Sequence, residues 1–189
     1  MKRLTALIAA LALLLCGCSS APDIRDVGEL YRKAGEVAAQ AQVAVMAGDA
    51  VMSYAIDYRW TAQEARVSIT APEALAGITA KLSSTGGQAV IEYEGTSAET
   101  LLPGIPGYTP VDALNGVLAD LRGNLPQTQG SAEWDGLACL LATYTSQTDG
   151  TELEKHIWLE QESGAVRHCE FFVDGQMFMA MDIVSLSIF

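Results

Sequence analysis

Four cysteines and two histidines carry most of the reactive chemistry in this sequence of 189 residues. Cys139 and Cys169 stand in its second half, with His156 and His168 between and beside them. A thiol next to an imidazole is the pairing of a nucleophile with its base. His168 and Cys169 are sequence neighbours, however, and neighbours on a strand point to opposite faces, so that pair cannot act together. A pairing of Cys139 with His156 or His168 stays open. No Cys-x-x-Cys, His-Glu-x-x-His, phosphate-binding Gly-rich loop or Gly-x-Ser-x-Gly stretch occurs in the sequence. The acidic residues are scattered and form no calcium loop, and Gly86-Gly87 reads as a turn. The expectation is a protein without catalysis, cofactor or metal.

The other two cysteines end an apolar run. Lys2 and Arg3 precede residues 4–15, which are apolar except for Thr5. That run is too short to span a bilayer comfortably and has the layout of a secretory signal. Leu15-Cys16-Gly17-Cys18 resembles the lipobox of bacterial lipoproteins. The resemblance implies cleavage between Gly17 and Cys18 and a diacylglycerol on the Cys18 sulfur. Residues 1–17 are then a signal peptide, 18–23 a lipidated tether, and 24–189 the working domain. Two acyl chains suffice for stable anchoring, since each buried methylene contributes about 0.8 kcal/mol. The expected place is the outer, extracytoplasmic side of a cell membrane.

The formal net charge is −12, and losing Lys2 and Arg3 with the signal makes the mature chain more negative still. Such a balance argues against nucleic acid and against electrostatic adhesion to anionic lipid. It suits a basic protein partner, although plain solubility explains it more simply.

Two periodicities position these residues. In residues 23–33, Ile24, Val27, Leu30 and Tyr31 fall on one face of a helix. From Val37 the period becomes two. Ala39, Ala41, Val43 and Val45 form one apolar face, Met52, Tyr54, Ile56, Tyr58 and Trp60 the next, and Ala65, Val67, Ile69 and Ala71 a third. Ile78, Ala80 and Leu82 lead through a turn to Ala89, Ile91 and Tyr93. Residues 101–110 hold three prolines and two glycines and read as an irregular loop. Thr109-Pro110-Val111-Asp112 reads as a helix start, followed by a stripe of Leu114, Val117, Leu118 and Leu121. Strands are then expected over residues 137–145, 152–160, 165–173 and 176–189, with Asp174-Gly175 as a hairpin turn. In that meander one strand separates Cys139 from Cys169. Their Cα atoms would be about 9–10 Å apart, beyond disulfide reach, so both thiols are expected free.

A helix, a run of antiparallel strands, a Pro-rich loop with a short helix and a second meander resemble the half-barrel of the Lol lipoprotein-carrier superfamily. The phrases Val67-Ser68-Ile69-Thr70-Ala71-Pro72-Glu73, Ile91-Glu92-Tyr93-Glu94-Gly95 and Ile157-Trp158-Leu159-Glu160 are similar to its strand-turn-strand passages. So is Asp174-Gly175-Gln176. The chain looks most like the lipoproteins of spore-forming Gram-positive bacteria, one branch of which holds a partner enzyme in germination. The resemblance implies an α+β fold, a curved antiparallel sheet with short helices on its concave side. It further implies a binding module for an acyl ligand or a cell-envelope protein. Tyr54, Tyr58 and Trp60 on one face, and Met177 and Met179 with Met181 on another, are the expected lining of an apolar site. The Pro-rich loop and acidic surface favour the protein partner slightly. The alternative is a structural or regulatory envelope lipoprotein, of sporulation or germination, with no small ligand. Carriers proper are soluble, so shuttling between membranes is not expected of an anchored chain.

Overall fold

One apolar phase, repeated strand after strand, builds a single antiparallel sheet. The computed structural model describes residues 23–83 and 87–189, so the signal, the tether and Cys18 lie outside the described residues. Helix α1 (Ile24–Lys33) leads into a meander of β1 (Glu36–Ala47), β2 (Ala50–Thr61), β3 (Glu64–Ala71), β4 (Thr79–Ser83), β5 (Gln88–Tyr93) and β6 (Thr96–Leu101). After helix α2 (Ala113–Gly123) come β7 (Thr128–Trp134), β8 (Leu137–Thr148), β9 (Thr151–Glu160), β10 (Val166–Val173) and β11 (Gln176–Ile188). The spatial order is β6-β5-β4-β3-β2-β1-β11-β10-β9-β8-β7. The two meanders therefore meet where the last strand pairs with the first, from Val37 opposite Ile188 to Val45 opposite Met179. The sheet is open, with β6 and β7 as its edges.

Nine strands were expected, and the sheet has eleven among the described residues. The additional ones, β6 and β7, are the edges. Every residue of β6 is exposed, and β7 buries none fully. A strand with no covered face needs no alternation, so its sequence shows none. Sequential order does hold for β8, β9 and β10, and Cys139 and Cys169 are both free and buried.

Both helices pack on one face, giving the half-barrel. Asp23 caps α1, its carboxylate accepting from the Arg25 N–H at 3.0 Å. Ile24, Val27 and Tyr31 of α1 share one core with Leu114, Val117, Leu118 and Leu121 of α2 and with the inward phases of the central strands. The helices touch where Gly28 leaves room, since a Cβ there would stand 3.0 Å from the Leu121 carbonyl oxygen. They also exchange hydrogen bonds. Arg122 Nε donates to the Tyr31 carbonyl at 3.0 Å, and Arg32 Nε donates to the Arg122 carbonyl at 3.1 Å. The Tyr31 hydroxyl reaches the opposite end of the chain, donating to the Gly164 carbonyl and accepting from the Val166 N–H.

Helix α2 begins later than expected. Thr109 and Asp112 do bond reciprocally, the Thr109 N–H to Asp112 Oδ1 at 2.8 Å and the Asp112 N–H to Thr109 Oγ1 at 3.3 Å. This is the reciprocity of a capping box, but it closes a turn, and α-helix starts only at Ala113. Asp112 Oδ2 also accepts from the Gly107 N–H at 2.9 Å. Gly107 in turn lies so close to α2 that a Cβ on Gly116 would meet its nitrogen at 2.5 Å.

Lys155 of β9 is turned inward with a side chain 1% exposed. Its Nζ lies 2.6 Å from Asp120 Oδ2 of α2 and donates to the Pro106 carbonyl at 2.8 Å. Removing one partner of a buried pair strands the other charge, at about 3–5 kcal/mol. Lys155→Met alone should therefore lower the stability measured by chemical denaturation by about that much. Lys155→Met combined with Asp120→Leu should recover most of the loss. Additive losses in the double variant would contradict this account.

Candidate functional site

The inward phase of β2 is set by its pairing with β1. Tyr54, Ile56, Tyr58 and Trp60 lie opposite Val43, Ala41, Ala39 and Val37, which are all buried. Along this one face the side chains meet different surroundings. Tyr58 is 3% exposed and donates its hydroxyl to Asn115 Oδ1 of α2 at 3.2 Å. Burial pushes its pKa above the ordinary phenol value. Trp60, one turn of the pleat further on, stays half-buried.

Trp60 faces a cavity of about 440 Å³. Trp60, Ala65 and Leu82 form its floor, Leu102 and Pro103 its roof, and Asn115 and Arg122 a wall. Its size falls within the roughly 300–1,000 Å³ of small-molecule sites. The centre of the half-barrel, by contrast, is filled: Leu114, Val117, Leu118, Phe171, Met179 and Met181 are all buried.

Arg122 gives this cavity its polarity. The guanidinium carbon lies 3.4 Å from the centroid of a Trp60 ring, a cation–π stack. Its Nε is bonded to Tyr31, while its Nη2 is buried with no hydrogen-bond partner. Desolvation pulls the guanidinium's pKa below its ordinary value, and the nearby Tyr58 and Tyr31 act the other way. The group remains charged at any physiological pH. A buried donor left unpaired costs about 1–3 kcal/mol, and more if charged.

The structure separates the other expected lining residues. Tyr54 lies further along β2, its hydroxyl 3.7 Å from Met52 Sδ. Met179 is fully buried in the core. Met177 does not share its face, contrary to the reading from alternation. Met179 pairs with Phe171 and Met177 with Phe172, because Phe178 bulges between them. A bulge adds one residue and reverses the phase beyond it. Met177 is thus 41% exposed on the outer face. Sequence reasoning missed Arg122, Asn115 and Lys155; the one available signal was a cation in the apolar phase of β9.

The thiols stand apart from the imidazoles. Cys169 pairs with Ile157 and Met181 inside, and His168 with Trp158 and Asp182 outside. All four imidazole nitrogens face carboxylates: His168 Nδ1 Asp182 at 2.7 Å, His168 Nε2 Glu170 at 3.7 Å, His156 Nε2 Glu154 at 2.6 Å and His156 Nδ1 Glu170 at 3.8 Å. The His168 ring also stacks on Trp134, with centroids 3.5 Å apart. Among the described residues no group of three or more His, Cys, Asp or Glu side chains could hold a metal ion. Burial pushes the Cys169 thiol far above the ordinary value, so thiolate is scarce at neutral pH. Iodoacetamide should leave both Cys139 and Cys169 unmodified in the native protein and label both after denaturation, as read by peptide mass. Rapid native labelling of either thiol would reopen thiol chemistry.

No protein-family model matches the chain, and no curated protein matches it in sequence. Solved structures do resemble it. An uncharacterized conserved protein from Thermus thermophilus superposes with a TM-score of 0.55 at 10% identity, covering 88% of this chain and 85% of that one. A putative outer membrane lipoprotein-sorting protein domain from Vibrio parahaemolyticus gives 0.49 at 7% identity over 87% and 90%. A LolA superfamily protein from Nitrosomonas europaea gives 0.44 at 12% identity over 89% and 94%. At such identities the likeness is one of fold alone, an open antiparallel sheet curved over two helices.

Proposed function

We propose that this chain is a membrane-anchored, extracytoplasmic binding module without catalytic activity, which holds an apolar acyl ligand beneath its Pro-rich loop. The observation that carries this reading is the cavity itself: it lies between Trp60, Leu102 and Arg122, whereas the core residues at the centre of the half-barrel are buried. The lipobox-like Leu15-Cys16-Gly17-Cys18 supports the anchoring half of the reading. A module tethered through Cys18 samples only ligands of one membrane surface, which suits holding or handing over a lipid and not carriage between membranes.

Intact-mass analysis of the chain from its own host should show a diacylglycerol on a mature terminus at Cys18, and Cys18→Ser should abolish it. An unlipidated wild-type chain would remove the anchor. Native mass spectrometry of the mature protein, released from detergent micelles in the gas phase, should show one co-purifying lipid mass. Trp60→Glu, which puts a carboxylate beside Arg122, should lose that mass while keeping the fold. A bare protein that brings down a specific envelope protein would instead make the half-barrel a scaffold for that partner.

A further inference from the structure

Resting on the reading of this cavity as an acyl site, we infer that its ligand is a single-chain amphiphile with an anionic head, carboxylate or phosphate, seated against Arg122. Among the described residues three other cations are buried or partly so: Lys81, Lys155 and Arg167. Each has a carboxylate at 2.6 Å. Arg122 has none within ion-pair distance among the described residues, in a chain with 23 acidic residues against 11 basic ones. The acid sharing its cavity wall, Asp112, has its oxygens turned to the N–H groups of Gly107 and Thr109.

The guanidinium is also held in place before any ligand arrives. Trp60 covers one of its faces, and Tyr31 fixes Nε. The two terminal nitrogens remain, and of these Nη2 is a buried donor lacking an acceptor. Carboxylate and phosphate oxygens are the acceptors that match a guanidinium edge. Asn115 adds a second donor to the same wall, because its Oδ1 is occupied by Tyr58 and its amide nitrogen is left to donate. Trp60, Leu102 and Pro103 supply the apolar surface for a tail, over the nearly buried Ala65 and Leu82. A volume near 440 Å³ suits one aliphatic chain better than two.

The test is photolabelling of the full mature chain in its membrane with a neutral diazirine-bearing alkyl alcohol, the labelled peptides read by mass spectrometry. Decanoate, decyl phosphate and decanol then compete. Labelling should fall on peptides carrying Trp60 or residues 102–122. Decanoate or decyl phosphate should compete at least tenfold better than decanol, and whichever is stronger identifies the head. Arg122→Gln should erase the difference while decanol still competes, and Arg122→Lys should restore part of it. Comparing each variant with wild type cancels partitioning into the bilayer. Equal competition by all three amphiphiles on wild type would overturn the anionic head and leave the acyl site standing, and this arm needs no variant to fold. A preference that survives Arg122→Gln in a normally folded protein would overturn the role of Arg122. Absence of cavity labelling would remove the acyl site and this inference with it.

Discussion

The buried contact between Lys155 and Asp120 fixes most of what lies on the inward face. Taking two charges out of water costs several kcal/mol each, recovered only with good geometry and extra hydrogen bonds. Here the extra bond goes to the Pro106 carbonyl. One ammonium therefore pins α2 to β9 and holds down the loop that roofs the cavity. That loop also packs apolar side chains inward: Ile105 is buried in the core, and Tyr108 lies against Phe178 with ring centroids 5.5 Å apart. Polar and steric ties add to these: Asp112 gathers the N–H groups of Gly107 and Thr109, and Gly107 rests against Gly116 without a side chain between them.

Helix geometry makes α2 the bridge between the meanders. Asp120 and Arg122 are two positions apart, about 200° around the helix. One reaches Lys155 in β9, the other Trp60 in β2. The two ends of this bridge differ in kind. Asp120 meets a full countercharge and is further bonded by Asn124 at 2.9 Å. Arg122 meets an aromatic face, worth about 0.5–2 kcal/mol, and the neutral Tyr31 carbonyl, but no countercharge. That offsets part of its desolvation and leaves the rest unmet. The structural end is complete within the chain; the end at the cavity is not.

Legibility in the sequence followed coverage by other elements. Strands β1–β5 and β8–β11 alternate because one face of each is buried, and a covered face imposes a period of two. The edges β6 and β7 have no such constraint and passed for loop. Met177 was misplaced because alternation was carried through a bulge at Phe178, which no residue type announces. The separation of Cys139 from Cys169 was correct, since consecutive hairpins fix strand order without any packing detail. Within the candidate site, Trp60 and Tyr58 were visible as inward aromatics. Lys155 was hidden among Leu153, Ile157 and Leu159, where its charge contradicts the phase it occupies. A basic residue in the last turn of α2 is what the helix dipole favours, so nothing in the sequence marked Arg122 as facing a cavity.

The outer face explains why the cavity sits where it does. Over β7–β11 the sheet carries a second small cluster: Trp134 stacks on His168, Trp158 lies edge-on to both histidines, and His156 packs on Phe172. The outer face of that half is thus partly shielded by its own side chains, with buried His168 and Cys139 in the same outward phase. Strands β2–β5 carry outside small polar residues and charge pairs, such as Arg59 with Glu36 and Lys81 with Glu92. Exposed pairs of this kind contribute about 0–1 kcal/mol each. The more shielded half is the stiffer one, and it holds the pin at Lys155. The less shielded half has fewer buried contacts to lose, and such regions open at the lowest free energy. A cavity between α2 and that half can widen by moving β2–β4 and the roof while the Lys155 contact stays closed. This places the adaptable wall of the half-barrel on the side of Trp60.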